Sequence, residues 1–497
     1  MLHFRWFDWV IVGIVPVTAL LLGLRSRRKP VSGWVDYFLF RRQMSSAGTV
    51  SNYVGANVVF TAIFLVLTLE GSKRGWWVLA VPAAWIVGTI LLLVLYPRMA
   101  PYLQKGETLH QALGSVFDRG QTGWSTVRRW ASLWTIVAFV SGVGLEFYGG
   151  VLLLEWAGVP QISRLTLAMA LAFVCATFTI AGGLRGIATV NYFLDGATFI
   201  GIITLFVFIA LAAFGFRVPV VTESAAVVSA APVAPSLTDN LTFAFGAFFI
   251  FVPMQLCALD TWQRGVAWKE RKNVAGPLVF GAALVCLAAY IAITAGNYVR
   301  TRGLVSQSEH PLLTMIGALA IPSPVIGLVV AGFIATILST ADELLNCCGY
   351  AVLSDFLNLP RNENSEETSR HYIRSGKFYT GVFAFVSASL AFAGIRVQKQ
   401  ITDMANVAFA TQVVFIMPIL FALLSKRARK MHLSALLAML LAFGVSVIMT
   451  AIGWLRGPDS QIVIDSAPLV AFGVGAATMT IGWICSIVSA RKSRRHA

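Results

Sequence analysis

Apolar residues in this chain gather into runs long enough to cross a bilayer, and polar intervals separate them. Thirteen runs are read, near 8–24, 48–69, 75–97, 130–154, 163–181, 187–216, 241–261, 275–298, 323–356, 378–395, 401–424, 432–455 and 466–489. About 20 residues of helix span a bilayer core, so each run predicts one membrane helix. The fold class expected is an all-α membrane protein of about 13 transmembrane helices. The strip YLQKGETLHQALGSVFDRGQTG is too polar to cross and predicts a short interfacial helix.

Two runs carry residues that interrupt a helix. The second holds Ser51, Asn52, Tyr53, Gly55, Ala56 and Asn57 within seven positions, and the seventh holds Gly246 and Pro253. Such residues weaken a helix and free backbone carbonyls, which inside a membrane is tolerated where the backbone lines a cavity. The two runs are five apart. Transporters built from inverted five-helix repeats begin each half with a broken helix. The expected organisation is therefore an N-terminal helix and loop (1–47), a first five-helix repeat (48–216), an outer loop (217–240), a second repeat (241–424), and two peripheral helices with a basic tail (425–497).

The ninth run contains FIATILSTADELLN, residues 333–346. Thr336, Ser339, Thr340 and Glu343 share one helix face at i, i+3, i+4 and i+7, with Asp342 beside it. Hydroxyls and carboxylates inside a membrane are costly and mark cavities or ion paths. A hard cation takes oxygen ligands. Ser339 and Thr340 offer hydroxyls, and carbonyls of Thr336 and of the broken second run, near Ser51 and Val54, would complete a shell. The competing reading is that these hydroxyls bond carbonyls of their own helix. For Asp342 and Glu343, neutralising an ion, carrying a proton, binding a cationic substrate group and pairing with a base all stay open. Glu146, in a glycine-rich stretch of the fourth run, is read as buried against protein, with lining, pairing and gating open. Asp260 is read as a structural ion pair with Arg264. Asn57 and the aromatic positions Phe245, Phe248, Phe249 and Phe251 are expected to face the cavity, on helix position alone.

Composition agrees with the pattern. The chain is 57% hydrophobic and 12% charged, with mean hydropathy +0.77, against about 25% charged in soluble domains. The net charge of +16 follows topology. Alternating the loops places 28 of the 38 Lys and Arg on one side and 10 on the other. Basic loops stay in the cytoplasm, so the N-terminus is expected outside, the C-terminus inside, and the protein in a plasma membrane, such as a bacterial inner membrane. The basicity also attracts anionic lipid, and no basic segment resembles a nucleic-acid-binding domain. The first run lacks a basic leader and is read as a retained helix. All six cysteines fall in apolar runs and are read as packing residues. No histidines sit at metal-ligand spacing, and no nucleophile–base pair or phosphate loop suggests an enzyme.

Four segments together resemble the sodium:solute symporter family, relatives of the proline, sialic acid and sodium/glucose cotransporters. DYFLFRR is similar to the family's DYFLAGR-like loop, and TIAGGLRGIATVN to its GGLxAVxxTD junction. DTWQRGVAWKERK is similar to QRxLAAK, with Gln263, Arg264, Ala267 and Lys269 in place, and ILSTADELLN resembles STADSLL. The resemblance covers roughly residues 8–425. It implies a LeuT-type inverted-repeat fold with sodium-driven uptake by alternating access. It also implies sodium ligation by Ser339 and Thr340 side chains and by the carbonyls of Thr336, Ser51 and Val54. The chain departs from the family in two places. Val190 and Asn191 stand where the junction often has Thr-Asp, leaving Asp195, one turn on, as the available carboxylate. Glu343 replaces a small hydroxyl residue.

The function expected is import of a small organic solute coupled to sodium, with no organic cofactor and the monomer as the working unit. One alternative keeps the fold and couples to protons through Asp342 or Glu343. Another is a transporter-like membrane sensor without net transport, disfavoured because only about eight residues follow the last run.

Overall fold

The structure, a computed structural model, describes residues 4–27, 33–159, 163–214, 235–269, 274–302, 310–319, 321–357, 366–397, 404–405, 413–456 and 461–495. Regular structure among these is helical. In chain order the helices are α1 (Trp6–Ser26), α2 (Trp34–Leu39), α3 (Ser46–Asn57), α4 (Leu67–Arg74), α5 (Ala80–Gln104), α6 (Leu109–Phe117), α7 (Val127–Trp156) and α8 (Arg164–Ala213). There follow α9 (Leu237–Cys257), α10 (Leu259–Ala267), α11 (Ala275–Thr301), α12 (Pro311–Ala318), α13 (Val325–Ala351) and α14 (Glu366–Val397). The chain closes with α15 (Ile416–Leu424), α16 (His432–Arg456) and α17 (Gln461–Arg495). A π-helical segment, Phe60–Val66, leads into α4.

Among the described residues, 10 helical stretches are long and apolar enough to cross a membrane. The sequence reading counts more because some of these stretches hold two runs. The 50-residue α8 would extend about 75 Å, more than twice the ~30 Å hydrocarbon core. It turns at Gly183, whose φ of +55° suits glycine, and an added Cβ there would strike the Tyr37 carbonyl. The predicted outer loop lies outside the described residues up to 234. So does most of 401–412 in the eleventh run. The interfacial helix appears as α6, whose Thr108–Gln111 capping box starts it and whose Leu109, Leu113, Val116 and Phe117 are buried.

Both interruptions exist, displaced from the residues that announced them. The first helix runs on through Asn57 and breaks at Val58 and Val59, which have extended ψ of 82° and 119°. The polar cluster did not open it because Asn57 turns its amide back onto the Tyr53 carbonyl at 2.7 Å. The second helix passes straight through Gly246 and Pro253 and breaks at Ala258 (φ −77°, ψ 120°). Gly246 serves a close approach instead, since a Cβ there would meet the Asp465 carbonyl of α17.

The central element is α13, with 89% of its most apolar window buried. It packs along α8, α7, α1 and α3. Its closest approach is at Gly332 against Gly201 of α8, where a Cβ on either would lie within 3 Å of the other's Cα. Gly201→Leu is therefore expected to force these helices apart and cost about 3 kcal/mol or more. Gly196→Ala on the same helix has open space around it and should be neutral or slightly stabilising. Thermal unfolding of both variants in detergent checks the pair. A G201L protein as stable as G196A would show that the contact does not hold the helices.

Candidate functional site

The site is assembled where α13 crosses the break between α3 and the Phe60–Val66 segment. A helix that stops at Asn57 leaves its last carbonyls without amide partners. Thr340, fully buried on α13, directs its hydroxyl at two of them, Gly55 O at 2.9 Å and Val58 O at 3.3 Å. Ser339 donates to the Thr336 carbonyl at 3.1 Å, and a Cβ on Gly55 would lie 3.5 Å from the Ser339 Cβ. Two sets of oxygens thus lie on neighbouring turns of α13 facing the break: Thr340 Oγ1 with the Gly55 and Val58 carbonyls, and Ser339 Oγ with the Thr336 carbonyl.

The Val54 carbonyl accepts the Val58 amide at 2.7 Å within the last turn of α3. Ser51 contributes its hydroxyl, which donates to Asp195 Oδ2 at 2.5 Å. The carbonyls that face Thr340 are those of Gly55 and Val58, one turn beyond the Ser51 and Val54 named from the sequence, because the helix ends at Asn57. The Thr336 hydroxyl turns away, donating to the Gly332 carbonyl at 2.9 Å and meeting Thr198 Oγ1 of α8 at 3.1 Å.

One turn along α13, Asp342 and Glu343 are buried too. Asn191 of α8 donates to Glu343 Oε1 at 3.4 Å. Both carboxylate oxygens of Asp342 are buried, with the Asn191 side chain and the Glu343 backbone amide as the nearest donors and the Glu343 and Asp195 carboxyls close by. Arg264 of α10 also acts on Glu343. Arg264 is paired with Asp260, as the sequence suggested, and donates to the Asn52 carbonyl of α3 at 2.6 Å. Among the described residues no three His, Cys, Asp or Glu side chains converge closely enough to ligate one metal ion.

Glu146 has a defined task. Its two oxygens accept the backbone amides of Phe60 (3.0 Å) and Thr61 (2.8 Å), the first amides after the break. Those amides begin a new helical segment and have no intrahelical acceptor, so the carboxylate of α7 caps the reopened helix. Thr61 Oγ1 adds a bond to the Leu145 carbonyl at 2.8 Å. From the sequence alone, pairing, lining and gating were equally open for this acid, because the amides it caps are 85 and 86 positions away.

Beside the break lies a small apolar cavity of about 40 Å³ whose lining includes Asn57, Ile63, Trp85, Phe251, Met254 and Val285. Asn57 and Phe251, both named from helix position, are among its lining. Phe248 is 41% exposed and packs edge-on against Phe249. The boundary between the two faces of α9 falls between positions 248 and 251, and Phe245 and Phe248 point out of the bundle. The sequence missed a buried polar chain at the cavity wall, in which Trp85 Nε1 donates to the Tyr53 hydroxyl (3.1 Å) and that hydroxyl donates to Gln255 Oε1 (2.9 Å). Buried Tyr and Trp usually find such partners.

Ties at both ends isolate this region. Below it, the Met44 amide donates to the Ala267 carbonyl, the Lys269 amide donates to the Met44 carbonyl, and Gln263 donates to the Phe38 carbonyl. Asp36 pairs with Arg185 at 2.9 Å. The DYF loop, the GGLRG turn and the QRG segment, scattered in sequence, thus hold one another. Above it, Arg74 of α4 joins Glu70, Asp465 of α17 and the Asp239 carbonyl of α9.

No protein-family model matches the chain, and no curated protein matches it in sequence. Solved structures match over most of its length. It is similar to a Na+-coupled sialic acid symporter in a substrate-bound outward-open state, with TM-score 0.71, 15% identity, and coverage of 96% of this chain and 98% of that one. It is also similar to Mhp1, a nucleobase-cation-symport-1 family transporter, in a closed conformation with bromovinylhydantoin bound (TM-score 0.51, 13% identity, 91% and 95% covered). Two helices broken at mid-bundle, a hydroxyl-bearing helix across one break and these likenesses together establish a multi-pass membrane protein with the LeuT-type transporter fold.

Proposed function

We propose that this protein is a secondary transporter that imports a small organic solute with sodium by alternating access. The observation that carries the reading is the Thr340 hydroxyl set on the Gly55 and Val58 carbonyls at a helix break. With the Thr336 carbonyl and the Ser339 hydroxyl, these would supply the all-oxygen donor set a hard monovalent cation takes. The ion would sit between α3 and α13 through Gly55 O, Val58 O, Thr336 O, Ser339 Oγ and Thr340 Oγ1. It would replace hydrogen bonds that now close the gap and would fix the angle between the two helices. The solute would bind beside the same break, where the cavity bordered by Asn57 and Phe251 widens beyond its present volume of about 40 Å³ to admit it. Sodium then favours the solute-binding state, and by linkage the solute must favour sodium equally. The loop charges support an outer N-terminus, a cytoplasmic C-terminus and a place in the plasma membrane. The two halves would be the repeats at 48–216 and 241–424, in a chain working as a monomer without an organic cofactor. The test is uptake of a mixed metabolite pool into proteoliposomes with an inward sodium gradient. Sodium-stimulated accumulation of at least one solute is expected; equal uptake in potassium alone, at matched pH, refutes the coupling.

One observation supports a second reading, coupling to protons. Asp342 is a buried carboxyl beside two other acids, Glu343 and Asp195, and a proton is a cation small enough to neutralise it without a coordination shell. Under this reading Asp342→Asn and Glu343→Gln abolish the response of uptake to an imposed pH gradient. Under sodium coupling they leave the sodium requirement in place. Uptake measured with each gradient applied alone separates the two.

A further inference from the structure

The geometry points to a binding site for an anionic phospholipid in the crevice between α1, the first half of α8 and α14. The crevice encloses about 770 Å³, within the range of ligand pockets, and it lies outside the transport site. It opens toward the hydrocarbon region, because Phe173 and Phe385 on its two walls are 71% and 62% exposed. Small residues make the space, Ala176 on α8 and Gly381 on α14 among them. The one hydroxyl on the α8 wall, Thr177, is spent on the Phe173 carbonyl of its own helix at 2.6 Å. The body of the crevice therefore offers only apolar contact, as an acyl chain requires.

One end differs. Arg27, at the C-terminus of α1, and Lys377 of α14 both line the crevice, and each lies close enough to repel the other. Among the described residues neither forms an ion pair with an acid; the Lys377 ammonium sits over the Tyr37 ring at 5.2 Å. Two like charges beside an apolar groove are unfavourable unless an anion joins them. From Lys377 the wall of α14 continues one helical face through Gly381, Ala384 and Phe385. That distance is about 12 Å at the rise of an α-helix, close to one leaflet's share of the ~30 Å hydrocarbon core. A phospholipid standing in that leaflet would place its phosphate between Arg27 and Lys377 and an acyl chain along Ala176 and Gly381. Basic pockets between membrane helices on the cytoplasmic side recognise anionic head groups in this way, and the loop charges put this end on that side.

Native mass spectrometry of the full chain tests the site, with titrations of phosphatidylglycerol and phosphatidylcholine of identical acyl chains. The intact protein should retain phosphatidylglycerol in preference. Each cation near such a surface contributes about fivefold in affinity, so R27Q/K377Q should weaken phosphatidylglycerol roughly thirtyfold and leave phosphatidylcholine unchanged. Arg25→Gln, an exposed charge of α1 outside the crevice, should change neither. Gly381→Leu, whose side chain would enter the crevice with only ordinary contact to Ile180, should weaken both lipids while keeping the charges. Equal retention of the two lipids by the intact protein overturns the site. So does an R27Q/K377Q protein that binds phosphatidylglycerol as before, an R25Q effect as large as R27Q/K377Q, or an inert G381L.

Discussion

Replacing Ser339 and Thr340 together by alanine is expected to remove the sodium dependence of uptake while leaving the protein folded. Each hydroxyl would contribute an oxygen to a dehydrated ion, and an interaction of this kind with a charge contributes about 1.5–3 kcal/mol. Each single substitution should therefore raise the sodium concentration for half-maximal uptake by roughly tenfold to a hundredfold. Thr340→Ala should be the more severe, because its hydroxyl alone reaches across to α3 at Gly55 and Val58, whereas Ser339 bonds within its own helix. Thr340→Ser keeps the oxygen and should recover most of the response, which separates ligation from packing. Thr336→Val is a further control: its carbonyl remains and only the hydroxyl facing Thr198 is lost, so sodium affinity should change little. Sodium titration of solute uptake in proteoliposomes reads all of these. Unchanged sodium affinity in the double variant would remove the basis of the proposed site.

Glu146→Ala is expected to be strongly destabilising. It would leave the amides of Phe60 and Thr61 buried with no acceptor, at about 1–3 kcal/mol each, or about 2–6 kcal/mol together. Glu146→Gln retains one acceptor oxygen, so its loss should be about half as large. Capping predicts that both substitutions lower the melting temperature in detergent whether or not sodium is present, because the amides exist in either condition. A carboxylate acting as an ion ligand would instead give variants whose stability differs from the parent only when sodium is added. An E146A protein melting with the parent in sodium-free buffer would show that the break is held by something else.

The parts of this protein that the sequence settles by itself are those written in local pattern. Runs of apolar residues set the membrane helices, because no other local structure hides a backbone from lipid except a closed barrel. Thr336, Ser339 and Thr340 were legible as one face of α13 because helical spacing alone puts them there. Asn57 and Phe251 were legible in the same way. The segments DYF, GGLRG and QRG carried a family resemblance in their order, but their task of tying one end of the bundle together was not legible.

What the tertiary structure decided is which backbone atoms are left over and what reaches them. Local composition placed the first break among Ser51–Asn57 and the second at Gly246 or Pro253, but the helices end at Val58 and Ala258. Asn57 satisfies its own helix, and α9 runs on past Pro253. That shift of one turn moves the facing carbonyls from Ser51 and Val54 to Gly55 and Val58, and sends the Ser51 hydroxyl to Asp195 instead. It also gives Glu146 its partners. A carbonyl or amide becomes available only where a helix stops, and the acceptor or donor that meets it comes from a helix remote in the chain. Periodicity reports the side of a helix on which a residue lies; only the assembled bundle fixes where that helix ends and what stands opposite.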